Sequence, residues 1–399
     1  VTGSARASAQ REHVRAAALG LGFDDAAWVS AQPLERDVDT FAAWCADGLH
    51  AGMEYLPGSL ERRADAQSTF LGARSALVLM VSHNHPDPGV PTGGTRVGRV
   101  ARYAWSRDYH QALQPALAAL ERAASLEGVR AKAFVDHAPL LERGYAIRAG
   151  LGWRGRSSQT ISTRLGALTS LAVLLCDVEP PTDAEHPDRC GRCTACVRAC
   201  PTDAITVNRS VDARRCIAYY TVEHRGAVPL ALRAGFGDHL FGCDDCLDVC
   251  PWTTHAGRFS VLLEPDPELA HPDLEPLFTE SGHAFLRRCA HSMFARARRR
   301  GMARNAAVVL GNTRDPAHAE LLARGAQDTG WEVREAVAWA LGRMDAGHAA
   351  LEALTRDADG RVAQTARAAL MGAFLEDAVS TPSSGVLGSA SRAKTALER

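Results

Sequence analysis

The chain has 399 residues, 46% hydrophobic and 23% charged, with a formal net charge of −1. Such a near-neutral, ordinary globular composition implies roughly two or three domains and excludes a dedicated nucleic-acid coat protein. The longest apolar run, around Leu165 to Cys176, is broken by Gly166, Thr169 and Ser170, so a bilayer-spanning helix is excluded as well.

Residues 1–8 are small and polar, without a period, and read as disordered. They carry neither an apolar leader segment nor a twin-Arg pair, which predicts a cytoplasmic location. Residues 9–20 predict a helix ending at Gly20 or Gly22. A short strand over 27–31 follows, then a helix over 37–50 capped by Asp37 or Asp39. The continuous apolar run SALVLMVS (75–82) predicts a buried central strand. A loop rich in Pro and Gly (83–98) comes next, and its His83 and His85 lack a third metal ligand at a helpful spacing. A helix over 111–126, a strand and loop over 132–139, a helix over 140–150, a turn-rich stretch over 151–162 and a strand over 167–176 complete the segment. The alternation predicts an α/β or α+β domain over 9–180.

The next stretch, 186–255, carries the strongest signal. Cys190, Cys193, Cys196 and Cys200 have the C-x2-C-x2-C-x3-C-P spacing of a bacterial-type [4Fe–4S] motif. Cys243, Cys246 and Cys250 repeat its last three positions, with Cys216 as a displaced first ligand. In such two-cluster modules the Cys before Pro ligates the other cluster. That assigns Cys190, Cys193, Cys196 and Cys250 to one cluster and Cys200, Cys216, Cys243 and Cys246 to the second. Zinc also accepts four thiolates and is the bland alternative. Two clusters mean one-electron transfer at low potential. Cys45, Cys176 and Cys289 remain as buried thiols.

A connector over 260–278 is rich in Pro and acid. From about residue 280 the chain turns Ala-rich and helical, and Leu310, Leu341 and Leu370 recur near the period of HEAT-like helix pairs, giving a repeat domain over 280–378. Residues 379–399 form a low-complexity tail. Between Arg287 and Arg304 there are seven Arg and no acid, which suits either phosphate binding or a solvated helix face.

Two clusters imply a second redox site in the first domain. No convincing G-x-G-x-x-G turn, no C-x-x-C-H and no complete D-x-H-x-x-G motif is present; Leu113 stands where the last needs Gly. The segments GMEYL, ARYAWSRDYH, VDHAPLLERGYAIRAGLGW, VDARRCIAY, GCDDCLDVCPW and RNAAVVLGN, in that order, resemble the epoxyqueuosine reductases. The resemblance runs over about residues 10 to 375. It implies an α+β protein built from an α/β cobalamin-binding domain similar to that of reductive dehalogenases, a two-[4Fe–4S] ferredoxin-like module and HEAT-like repeats. It implies reduction of epoxyqueuosine to queuosine at the wobble nucleotide of tRNA, with base-off cobalamin, an external low-potential electron donor and a monomeric enzyme.

Residue by residue, the resemblance makes Asp136, in VDHAP, the proton donor; taken alone, an Asp there reads as the N-cap of helix 140–150. A donor role requires a raised pKa. Arg63, Arg143, Arg156, Ser157 and Ser158 match positions near the corrin. Family members usually carry Lys then Asn or His where this chain has Arg156 and Ser157, and often Glu where it has Val173; both departures are expected beside the pocket. Tyr220, His224, Arg296, Arg298, Arg299, Arg300 and Arg304 become tRNA-binding candidates. The rival readings are a cobalamin/Fe–S reductase of another electrophile and a ferredoxin-like carrier without corrin.

Overall fold

The fold, taken from a computed structural model, is described over residues 3–91, 98–257 and 260–375. The tail expected at 379–399 lies outside the described residues.

Two fully apolar segments build the sheet of the first domain. Strands β1 (Asp25–Ser30), β2 (Ser75–Ser82), β3 (Ala131–Phe134) and β4 (Thr169–Cys176) lie in the order β1-β2-β4-β3. Every neighbouring pair is antiparallel, with Leu77 opposite Leu174 and Ala133 opposite the same residue on the other side. The α/β reading of this domain is thereby corrected to α+β. An unbroken apolar strand reports that both faces are covered, and is silent on direction. One face sends Leu77, Leu79, Val81 and Leu174 into a core shared with helices α1 (Gly3–Gly20) and α3 (Gln114–Leu126), α2 being Glu35–Ala46. The opposite face buries Val78, Met80, Val173 and Leu175 against Tyr145 and Ala146 of α4 (Glu142–Arg148). Each such side chain contributes about 2 kcal/mol of burial. Residues 3–8 extend α1 instead of being disordered, because Ala7 is buried in the first core.

The strand register decides where the site sits. Ser82 ends β2 opposite Thr169, which begins β4, and β3 runs towards that same end. The loops at 83–91, 135–141 and 162–168 therefore emerge together.

The cysteine-rich module is held by turns and short helices, among them Ala195–Ala199, Asp245–Asp248 and Pro251–Thr254. Its strand His239–Phe241 pairs with Arg99–Val100 of the first domain. The repeat domain follows, with α5 (Phe294–Thr313), α6 (Trp331–Met344) and α7 (Gly360–Leu370) stacked in sequence. Gly311 permits the close crossing of α5 and α6, since a Cβ there would lie 2.9 Å from Ala340 Cα. Leu310 and Leu341 are fully buried as the period predicts, but Leu370 is exposed. Ala366 and Ala369 fill the core in its place.

Helix α5 is welded to the cysteine-rich module. Arg304 is 1% exposed and donates to the carbonyls of Tyr220, His224 and Gly226. Asn305 donates to those of Thr221 and Leu240. A buried ion pair, Arg233–Glu335 at 2.7 Å, joins the module to α6 as well. Removing a buried donor leaves its carbonyls without partners. Arg304→Met should therefore lower stability by about 3 kcal/mol, read as a lower melting temperature of the cluster-loaded protein. An unchanged melting curve would contradict the weld.

Candidate active site

The three loops at the sheet end and the cysteine-rich module enclose a cavity with two lobes, of about 570 and 280 Å³. Tyr103, Asp136, Glu142, Arg143, Gln159 and Ala218 line both.

Asp136 follows β3 directly and has φ 55°, the left-handed region that non-glycine residues adopt at a cost. It is not a helix cap: Leu141 holds the N-cap position of α4. Its carboxylate points into the cavity. There it accepts a 2.5 Å hydrogen bond from the Tyr109 hydroxyl and lies 3.7 Å from His110 Nε2. The other ring nitrogen of His110 is 2.7 Å from Asp108, and the Tyr109 and His110 rings stack at 4.2 Å. The bond to His110, with help from Tyr109, outweighs burial and holds the Asp136 pKa down at about 2. Burial opposes charge on His110, but Asp108 and Asp136 together raise its pKa to about 9. The raised pKa expected of Asp136 is thus absent. The proton of this group sits on His110, and Asp136 is its anionic neighbour.

Glu142 has the opposite character. Burial, reinforced by the nearby charge of Asp136, pushes its pKa up to about 7. Its buried Oε1 finds no partner among the described residues. Arg143 lines both lobes with its side chain accessible from the cavity; desolvation by the surrounding walls weighs against its charge while Asp136 and Glu142 support it. Sequence reasoning does not name Tyr109, His110 and Glu142 as site residues, although they stand in the segments ARYAWSRDYH and VDHAPLLERGYAIRAGLGW; His110 enters it only as the histidine of an incomplete D-x-H-x-x-G motif.

The corrin candidates divide. Arg63 and Ser158 line the larger lobe beside Arg143, and Arg63 is fixed by Ser59 Oγ and Leu140 O. Arg156 and Ser157 line neither lobe. The Trp153–Arg154 strand and its partner Thr160–Ile161 form a hairpin that turns this segment towards the cysteines, so Arg156 donates to Gly191 O, between Cys190 and Cys193. Val173 is corrected too: it is fully buried in the sheet core and does not border the cavity.

None of the eight motif cysteines forms a disulfide. Cys190, Cys193 and Cys250 each oppose ionisation of Cys196, and Cys190 and Cys193 do the same to Cys250. Cys216, Cys200 and, from the other group, Cys196 act on Cys246, and Cys246 and Cys216 act on Cys243. Cys216 and Cys243 line the cavity. Trp153 donates to Cys190 Sγ at 3.3 Å. Of the remaining cysteines, Cys176 and Cys289 are buried and Cys45 only half-buried.

The Arg-rich stretch also divides. Arg296, Arg298 and Arg300 are exposed, and Arg298 has φ 60° at a kink in α5. Arg296 pairs with Glu223 at 2.8 Å and lies over the Tyr55 ring, at the rim of the larger lobe. Arg304 and Arg299 are corrected as RNA contacts. Arg304 is consumed by the weld, and Arg299 is buried against Asp328 and Leu277 O. Tyr220 is buried as well, with its hydroxyl on Arg214 O. His224 is half-buried and bonded to Ala227 O.

The raised Glu142 pKa has a sign that can be tested. The folded state holds this proton more tightly than the unfolded chain. Its stability contribution is therefore full at low pH and is lost as pH rises from the ordinary Glu value through about 7. Glu142→Gln should raise the melting temperature by a few degrees more at about pH 8 than at about pH 5. Equal shifts at both would contradict the assignment.

Comparison with known proteins agrees with this geometry. Residues 63–137 match the family described as epoxyqueuosine reductase QueG, DUF1730. Residues 189–253 match the 4Fe-4S double cluster binding domain, and residues 294–371 match HEAT repeats. The chain is 35% identical over 342 residues to an epoxyqueuosine reductase of Xanthomonas campestris pv. campestris, covering 82% of this chain and 94% of that one. The corresponding enzyme of Pseudomonas aeruginosa is 37% identical over 325 residues, 75% of this chain and 85% of its own. Among solved structures, an epoxyqueuosine reductase with a tRNA-Tyr epoxyqueuosine-modified tRNA stem loop superposes with a TM-score of 0.83 at 26% identity, over 92% of this chain and 99% of that one. The Bacillus subtilis enzyme, described with its Asp catalytic loop swung out of the active site, gives 0.82 at 26% identity over the same shares. With its double-cluster module, cavity and helical repeats in the same order, this chain belongs to the epoxyqueuosine reductase family.

Proposed function

We propose that this chain reduces epoxyqueuosine to queuosine in the anticodon loop of tRNA, using two [4Fe–4S] clusters and base-off cobalamin. The observation that carries the proposal is convergence. Cys216 and Cys243 of one thiol group, Asp136 with His110 3.7 Å behind it, and Arg143 meet at one cavity, which Cys216, Cys243, Asp136 and Arg143 line. Opening the epoxide to an alkene consumes two electrons and two protons and releases the oxygen as water.

The cavity suits a corrin. Phe41, Trp44, Leu56 and Leu141 supply apolar wall, and Arg63, Arg143 and Ser158 supply donors for its amide and phosphate groups. Arg143 forms no hydrogen bond among the described residues, and the buried Thr160 hydroxyl on the smaller lobe has no partner there either. Among the described residues no histidine lines the larger lobe; His83, on the smaller lobe, is 3.3 Å from Ser170 Oγ, and burial holds it neutral. When bound, cobalamin supplies a strong nucleophile or low-potential reductant, fed by clusters held on Cys190, Cys193, Cys196 and Cys250 and on Cys200, Cys216, Cys243 and Cys246.

The residues of the chain manage the protons. His110 holds one at neutral pH and passes it through Asp136 to the departing oxygen, which leaves His110 neutral and Asp136 an anion again. Glu142, with a pKa near neutrality, carries the second. Arg296, Arg298 and Arg300 and the Tyr55 ring at the rim would meet phosphates and a splayed base. A tRNA substrate places this work in the cytoplasm.

Asp136→Asn should cut conversion of epoxyqueuosine in tRNA by about 100-fold or more, followed by mass spectrometry of nucleosides. Cluster and corrin spectra should be retained. Undiminished turnover would sink the relay.

A further inference from the structure

The two thiol groups have different surroundings. Cys216 and Cys243 face the cavity, whereas no cysteine of the Cys190, Cys193, Cys196 and Cys250 group lines either lobe. Cys193 is instead exposed to solvent. Beside Cys250, Val249 is 42% exposed, and Pro251 on its other side is exposed as well. This edge of the module is an opening to the outside.

Guanidinium groups stand on the Cys190–Arg198 side of that opening, while on the Cys250 side the exposed Asp248 is paired with Arg102. Arg189 and Arg192 flank the first two ligand positions, and both are exposed. Arg198, also exposed, stands on the helix Ala195–Ala199 and touches only Thr194 Oγ1, at 2.6 Å. Two more cations face inward: Arg156 on Gly191 O, and Arg209 on Asp188. The acids in the stretch Glu185–Arg198 are Glu185 and Asp188, and Asp188 is already held by Arg209. Among the described residues Arg189, Arg192 and Arg198 form no ion pair. The inward cations answer the negative charge of a thiolate-bound cluster, and the outward three are left over.

We propose that this face docks the electron donor, and that the donor is a small acidic one-electron carrier protein. The proposal rests on reading Cys190, Cys193, Cys196 and Cys250 as one cluster's ligands. Electron-transfer encounters use small interfaces steered by opposite charge around a short tunnelling path. The exposed ligand, the apolar spot at Val249 and the unpaired cations fit that pattern. Each encounter oxidises the carrier by one electron, so one turnover takes two encounters. RNA fits less well here, because the substrate base must reach the cavity, and Arg189, Arg192, Arg198 and Cys193 all lie off its walls.

The test uses the holoenzyme with the double substitution Arg192→Glu and Arg198→Glu. Stopped-flow bleaching of the cluster absorbance by a reduced acidic ferredoxin, without tRNA, reads docking even if the substrate is not epoxyqueuosine. The expected result is at least a ~10-fold slower second-order reduction with a weaker salt dependence. Reduction by dithionite-reduced methyl viologen, the cluster potentials and the KM for tRNA should be unchanged. Reduction by the ferredoxin at the wild-type rate would overturn the proposal. So would an equal loss with both reductants accompanied by shifted potentials, which would make the arginines cluster-tuning groups. A raised KM for tRNA with normal ferredoxin kinetics would assign the face to RNA instead. If iron content shows that the double variant loses a cluster, Arg198→Glu alone, on the helix Ala195–Ala199, is read by the same criteria.

Discussion

Five backbone carbonyls, captured by two adjacent side chains of one helix, hold the working parts in place. Arg304 and Asn305 reach from α5 to Tyr220, Thr221, His224, Gly226 and Leu240. The segment they grip carries Tyr219, Val222 and Glu223 on the cavity wall and leads into Cys243. The helical repeats are therefore structural backing for the redox module as well as a surface. A guanidinium suits this task because its forked donors satisfy several oxygens at once, which a lysine would not.

This explains how a run of arginines misled when taken as a composition. Seven positive residues in one stretch look like a phosphate surface. The fold turns Arg299 and Arg304 inward and leaves Arg296, Arg298 and Arg300 outside. Charge is legible in a sequence; the direction in which it points is set by packing. The cysteine spacing was legible for the converse reason: cluster ligation imposes the C-x2-C-x3-C-P interval, which stands twice in this chain. Strands β2 and β4 were legible to within a residue or two, as apolar runs of strand length. Their antiparallel pairing was not, because burial on both faces arises in either direction.

The centre of the site was legible only in part. Asp136 stood out through resemblance, while its partners come from a segment 26 and 27 residues earlier that the fold brings alongside. Their effect is electrostatic. A carboxylate beside an imidazolium loses its appetite for protons, and the imidazolium gains one. The pair behaves as a unit holding one proton, and naming either partner alone as the acid describes half of it.

The grouping of the thiols has a consequence for how the protein is made. Cys200 and Cys250 each sit with the cysteines of the other motif. On the ligand assignment proposed above, no set of four is complete until both halves of the module have been synthesised and brought together. Cofactor insertion is therefore conditional on native folding over some sixty residues, as the span from Cys190 to Cys250 shows. A half-made chain cannot mature one centre and carry it as a reactive, oxygen-sensitive stub. The crossed arrangement works as a checkpoint in biogenesis, written into the order of the ligands.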